Sequence, residues 1–227
     1  MNGKMLKIIA VIFMIIDHIG FYLINDGIVN DIFRGIGRIA FPLFAFSIAE
    51  GFKHTKNLKK YALRLALAAV IMEFVVVIIY LITGDNYFIT INVFIPLLFG
   101  LMGLWALSNP KWYVKLLVIP IIFLSEILHF SYGSYGIFLI LIFGIIPKRF
   151  EQLSIVVLMS LFYIEWPLYS LFGMTGSPRY PNMQWLSLLA FIPIFLYNGE
   201  KGRYNKWIFY AIYPLHLGVI LLIDFLF

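Results

Sequence analysis

The sequence predicts an all-α, polytopic integral membrane protein of about nine transmembrane helices, with a cytoplasmic N-terminus and an extracytoplasmic C-terminus. Three observations predict it. Of 227 residues, 63% are hydrophobic and only 12% charged, against roughly half and a quarter in a soluble domain. A soluble fold of this size has no interior large enough for that much apolar side chain. The apolar residues fall into runs close to the length of a bilayer-crossing helix, about 20 residues, and the basic residues sort to one side of those runs.

The same composition leaves no room for a separate soluble domain, so residues 1–227 read as a single membrane domain. Cysteine is absent, which excludes a disulfide, a thiolate nucleophile and a cysteine-ligated metal. The four histidines are far apart in the sequence, and no metal site is expected. The net charge of +6 is dispersed among loops rather than gathered in a stripe, so nucleic acid is not an expected partner and membrane lipid is.

The first run, 5–25, follows Lys4 and Lys7. It begins like a secretory signal, but no small-residue cleavage site follows, so it reads as a retained span. The second run, 37–53, opens on Gly37 and Arg38, has Pro42 one turn in, where a missing N–H is tolerated, and closes on Glu50 and Gly51. A basic loop, "KHTKNLKKYALRL", leads to the third run, 60–83. Charge clusters and Gly, Pro and Asn breaks then delimit 88–107, 112–129, a short sixth run at 134–147, 152–171, 184–198 and 205–227.

With the N-terminus inside and the sides alternating, 14 of the 17 basic residues face the cytoplasm, and Arg34, Arg38 and Arg179 face out. A wrong number of helices would scramble that split. No internal repeat is visible, which weighs against an inverted-repeat transporter.

Ionisable groups within a span are costly unless paired or hydrated, and so point to a site. Here they are Asp17, His18, Arg38, Glu50, Glu73, Glu126, Glu165, His216 and Asp224, with Asn92 as a polar companion. Arg38, Asn92, Glu126 and Glu165 lie near span ends, where a polar tip can reach the interface. Glu50 and Glu73 have a structural alternative, pairing with Arg64 or backbone amides. Lys7 and His18 are separated by ten residues. Eleven steps of about 100° bring them onto one helix face, roughly 16 Å apart in depth. His216 lies ten residues beyond Lys206, so histidines of the first and last helices can share a pocket. By itself such a histidine is more often a packing or hydrogen-bonding residue. The loop cations Lys53, Lys56, Lys59, Lys60 and Arg64 either follow the positive-inside rule alone or form a mouth for an anionic ligand such as a phosphate or a lipid headgroup.

The blocks "LKIIAVIFMIIDHIG", "RGIGRIAFPLFAFSIAEGFKHTKNLKKYALRL", "ITINVFIPLLFGLM", "LAFIPIFLYNGEKGR" and "WIFYAIYPLHL" resemble, in order, those of the TraX family. That family is named for a conjugation-plasmid protein linked to N-acetylation of F-pilin, and is similar to the wider transmembrane acyltransferase superfamily. Those enzymes typically carry a basic residue, ten intervening residues and a histidine on the first helix. Lys7 and His18 match, with Lys in place of the commoner Arg, a point charge rather than a bidentate fork.

The resemblance implies a multi-pass enzyme of the bacterial cytoplasmic membrane. It would move an acetyl or short acyl group from cytoplasmic acetyl-CoA to an amine or hydroxyl at the outer face. The acceptor would be a peptide, sugar or lipid, such as the N-terminus of an exported or pilin-like polypeptide. Lys7, Lys53, Lys60 and Arg64 are then the expected cofactor-binding residues. His18 is the expected general base, with Asp17, His216 and Arg38 as its catalytic companions. Asn92, Glu50, Glu73 and Tyr213 are the expected substrate or oxyanion groups. Asp17 is about 100° round the helix from His18 and is expected to find its partner, Arg38 or His216, on another helix. A proton-coupled transporter and a scaffold of a conjugation or secretion assembly are the rival readings.

Overall fold

A computed structural model describes residues 1–83, 92–165, 181–203 and 205–226. Within them all regular structure is helical: α1 (Gly3–Leu23), α2 (Ile28–Gly37), α3 (Ala40–His54), α4 (Leu58–Thr83), α5 (Phe94–Leu107), a single turn α6 (Trp112–Lys115), α7 (Val118–Ile127), α8 (Gly133–Ile145), α9 (Arg149–Glu165), a 3₁₀ helix (Pro181–Ala190), α10 (Phe191–Phe195) and α11 (Lys206–Leu226). Four stretches are long and apolar enough to cross a membrane: Gly3–Leu23, Ile28–His54, Leu58–Ile82 and Trp207–Leu226. Phe94–Leu107, Gly133–Ile145 and Met183–Phe195 are apolar but shorter. Arg179 and the side chains of Glu165 and Lys206 lie outside the described residues.

Asparagine sets several of the helix starts. Asn2 accepts from the Met5 amide at 3.1 Å, Asn57 from Lys60 at 2.9 Å, Asn92 from Phe94 at 3.2 Å and Asn205 from Trp207 at 3.0 Å. Each satisfies an amide that the first helical turn leaves without a partner.

Two runs read as single spans are broken, 112–129 into α6 and α7 and 184–198 into the 3₁₀ helix and α10, and a further departure from the sequence reading is α2. Residues 26–36 were expected as an outer loop, with the second span starting at 37. Instead α2 runs almost directly into α3. The turn at Arg38 and Ile39 is closed by short-range bonds, Arg38 N to Gly35 O at 3.2 Å and Ile39 N to Ile36 O at 3.1 Å. Pro42 accounts for the break, because it has no N–H to offer the Arg38 carbonyl four residues back. The loop reading failed because Gly27, Gly35 and Gly37 look like punctuation in sequence.

In the interior, α3 packs on α8, α8 on α5, and α1 on α2, α3 and α11. Lipid is as apolar as a protein core, so close packing rather than dehydration holds such helices together. Gly100 of α5 faces Ile140 of α8, and Gly144 of α8 faces Leu104 of α5, each with no room for a side chain. Ile137, Leu139, Ile140 and Phe143 of α8 are fully buried. This suits a helix of 13 residues, about 20 Å long, enclosed by α3, α5, α7 and α9.

Candidate functional site

Residues 17 and 18 point to different partners, as their angular separation on α1 requires. His18 faces α11. Its Nδ1 lies 2.8 Å from Nε2 of His216, with the ring centroids 4.9 Å apart. His216 Nδ1 lies 2.8 Å from the Ile212 carbonyl oxygen, one turn back on α11. A carbonyl can only accept, so His216 Nδ1 carries the hydrogen, and in the neutral ring Nε2 is then the acceptor. His18 Nδ1 must therefore donate, which leaves the lone pair of His18 on Nε2. Two neutral imidazoles and one backbone carbonyl thus fix which nitrogen of His18 can take a proton.

Tyr213 braces both rings edge-on, 5.9 Å from His18 and 5.3 Å from His216 between centroids. It is buried, and it meets Phe94 at the start of α5 at 5.1 Å. Tyr22, one turn beyond His18, lies 6.2 Å from it.

Asp17 faces the turn between α2 and α3. Arg34 Nη1 lies 2.9 Å from one of its oxygens and Arg38 Nη2 lies 3.2 Å from the other, with all three side chains 12–14% exposed. Arg34 also donates to the Asp17 carbonyl at 3.3 Å, and Arg38 Nε to the Arg34 carbonyl at 3.2 Å. The expected partner Arg38 is present, whereas Arg34 was read only as an outer loop cation. Any side chain at Gly37 would run into Asp17, so the close approach of the two segments needs glycine there.

At the opposite end of α1, Lys7 sits in the field of Lys201 and Arg64 and over the Phe209 ring at 5.9 Å. Arg64 lies over Tyr61 at 5.5 Å, and its Nε is buried with no hydrogen-bond partner among the described residues. Lys201 is delivered by the loop between α10 and α11. That loop turns at Gly199 (φ +83°) and Gly202 (φ +72°), where a left-handed backbone favours glycine. Asn198 N bonds the Met1 carbonyl at 2.9 Å, and Gly3 N bonds the Glu200 carbonyl at 2.7 Å, so the loop is seated on the start of α1. Arg149 secures its root by donating to the carbonyls of Phe195 and Tyr197 at 2.9 and 2.8 Å.

Of the other predicted site residues, Lys53, Glu50, Glu73 and Asn92 have structural partners. Lys53 donates to Glu50 and to the Phe143 carbonyl, each at 3.0 Å, and so caps the end of α8. Lys60 is exposed in the first turn of α4. Glu50 also lies 3.6 Å from His54. Asn92 uses its amide hydrogens on Glu73 at 2.7 Å and on the Ala69 carbonyl at 2.9 Å, tying the start of α5 to α4.

One turn past the histidines is a half-open cleft of about 210 Å³, lined by Phe21, Tyr22, Ile24, Asn25, Asp26, Asn30 and Arg34. Asn30 shapes it by donating to the carbonyls of Gly20 and Ile24 at 2.6 and 2.8 Å, which satisfies the open end of α1. The cleft shares Tyr22 with the surroundings of His18 and Arg34 with Asp17. Arg34, Asn30, Tyr22 and Lys201 were not singled out from sequence. Arg34 had a signal, since it stands four residues before Arg38 and so on the same helix face.

The chain is similar to a protein of Dichelobacter nodosus described as "Probable fimbrial assembly protein FimC, serogroup H1", with 29% identity over 228 residues, 95% of this chain and 92% of the relative. No solved structure matches it. The family model described as "TraX protein" matches residues 2–224; with nearly its whole length covered, this membrane protein belongs to the TraX family.

Proposed function

We propose that the protein is a membrane acyltransferase that takes an acetyl or short acyl group from cytoplasmic acyl-CoA. The acceptor is an amine or hydroxyl reached from the other side of the membrane. The observation that carries this reading is the chain from the Ile212 carbonyl through His216 to His18, which leaves a basic nitrogen at a defined position, His18 Nε2. A base so placed suits proton removal from a nucleophile. The residues also fit a CoA ester. Lys7, Arg64 and Lys201 gather positive charge at one end of α1, with a buried Arg64 donor unused, which suits phosphate. His18 lies eleven residues further along, about 16 Å, within reach of a pantetheine arm.

Acetyl-CoA, when bound, supplies an acyl group on a sulfur leaving group. His18 Nε2 takes the acceptor's proton as the acceptor's nitrogen or oxygen bonds to the acyl carbon and the carbon–sulfur bond breaks. His18 then returns that proton to the departing sulfur. His216 holds His18 in the required tautomer. Arg38 and Tyr213 border this centre from the turn between α2 and α3 and from α11, where a guanidinium or hydroxyl can steady developing negative charge. The cleft beyond Tyr22 gives an acceptor access from the end of α1 opposite Lys7. Lys53 and Lys60, the former spent on Glu50 and α8, take a lesser part.

The proposed topology is nine crossings, N-terminus in and C-terminus out, in the bacterial cytoplasmic membrane. A relative described as a probable fimbrial assembly protein supports an acceptor related to pilus assembly, for example the N-terminus of a pilin-like polypeptide. The test is transfer of labelled acetyl from acetyl-CoA by the purified protein. No binding of acetyl-CoA and no His18-dependent turnover would overturn the reading in favour of a scaffold or transporter.

A further inference from the structure

α2 is amphipathic in the reverse sense of a soluble surface helix. Ile28, Val29 and Ile32 are 77%, 51% and 53% exposed. Asn30, Gly35 and Gly37 are buried, and Arg34 is nearly so. In water this would set three large aliphatic side chains outward on ten residues while an arginine points in. It is favourable where the outward surroundings are lipid and the inward groups are paired within the protein, as Arg34 is with Asp17. The end of α1 agrees, with Phe21 and Leu23 exposed.

The polar cleft adjoins both apolar surfaces, and Phe21, with Arg34 over its ring at 4.7 Å, belongs to the lining as well as to the exposed end of α1. Asp26, Asn30 and Arg34 line it, while Ile28, Val29 and Ile32, interleaved with them along the chain, face away. A helix is about 10 Å across, so the cleft and the lipid surface are one helix width apart. Asp26 is exposed at the opening and Arg34 sits inside. A molecule with only polar groups would leave the apolar rim unused, and a wholly apolar one would strand the lining.

We propose that this cleft takes the polar head of a membrane-held acceptor, whose apolar part stays in the bilayer along α2, rather than an acceptor dissolved in water. The inference rests on the transferase reading and narrows its acceptor to amphiphiles. Once the head is seated, its N–H or O–H gives its proton to His18 as the new bond to the acyl carbon forms, and the thiolate leaves with that proton.

Two measurements test it on the full chain in phosphatidylcholine vesicles. The protein has no cysteine, so Asn25→Cys and Ile32→Cys each carry one bimane label. Both labels are expected to be quenched by a nitroxide in the upper acyl chain of the lipid. Quenching of both by aqueous iodide alone would overturn the proposal. The second measurement compares dodecylamine with butylamine, and dodecanol with butanol, as acceptors for labelled acetyl-CoA. The long-chain member of at least one pair is expected to react roughly tenfold faster or more, as membrane anchoring concentrates it. The triple variant Ile28→Asn, Val29→Asn, Ile32→Asn is expected to bring that rate down to the short-chain one. Equal rates for long and short acceptors in the unmodified protein would overturn the proposal while sparing the transferase reading. Lipid quenching with no transfer to any of the four would overturn the acceptor assignment, and the transferase reading falls with it only if acetyl-CoA also fails to bind.

Discussion

His18 Nδ1 lies 2.8 Å from His216 Nε2, a contact between residues 198 positions apart that joins the first described helix to the last. Its direction is set at the far end, by a backbone carbonyl.

Removing either ring has separable effects. His18→Ala is expected to lower kcat by about 10²–10⁴-fold, the usual worth of a general base, with acetyl-CoA affinity unchanged by calorimetry. His216→Ala is expected to lower kcat less, since His18 remains but loses its fixed tautomer. His216→Gln, whose amide can accept from His18, is expected to recover part of that loss. Equal kcat in wild type and His216→Ala would remove His216 from the mechanism.

Asp17 is a structural keystone. Asp17→Asn leaves Arg34 and Arg38 facing each other without a countercharge, and breaking a buried pair costs about 3–5 kcal/mol. The expected result is a large loss of thermal stability in detergent. Gly37→Ala is expected to lower stability by about 1–3 kcal/mol through overpacking against Asp17. Asp17→Asn with unchanged unfolding would show the pair to be dispensable.

The cationic end of α1 is expected to act on binding. Lys7→Gln, Arg64→Gln and Lys201→Gln should each raise the KM for acetyl-CoA roughly tenfold, about 1.4 kcal/mol, and leave acetyl-pantetheine, which lacks the CoA phosphates, unaffected. An equal effect on both donors would show damage to the fold instead. Lys60→Gln, exposed on α4, is expected to change neither.

Topology has its own test. A reporter fused after the C-terminus is expected to be active only outside the cytoplasm. A cytoplasmic signal would require an even number of crossings.

The long helices were legible because lipid imposes a length and an apolar composition. Lys7 and His18 were legible because both lie on one helix, where spacing fixes direction. Residues that meet across helices were harder to read. Arg34 looked like a loop cation because α2 is short and punctuated by glycine, and Lys201 reaches Lys7 only through a loop with two left-handed turns. Lys53 shows how contacts across helices escape a sequence reading. Its sequence neighbours are basic, but its contacts are Glu50 and a carbonyl of α8.

The Ile212 carbonyl that orients the histidines also limits them. A proton can hop between His18 and His216, but an amide oxygen cannot take it and pass it on. From His216 the carbonyl side is therefore a cul-de-sac, and a proton lent to the pair can leave only by the way it came or by another atom of the rings.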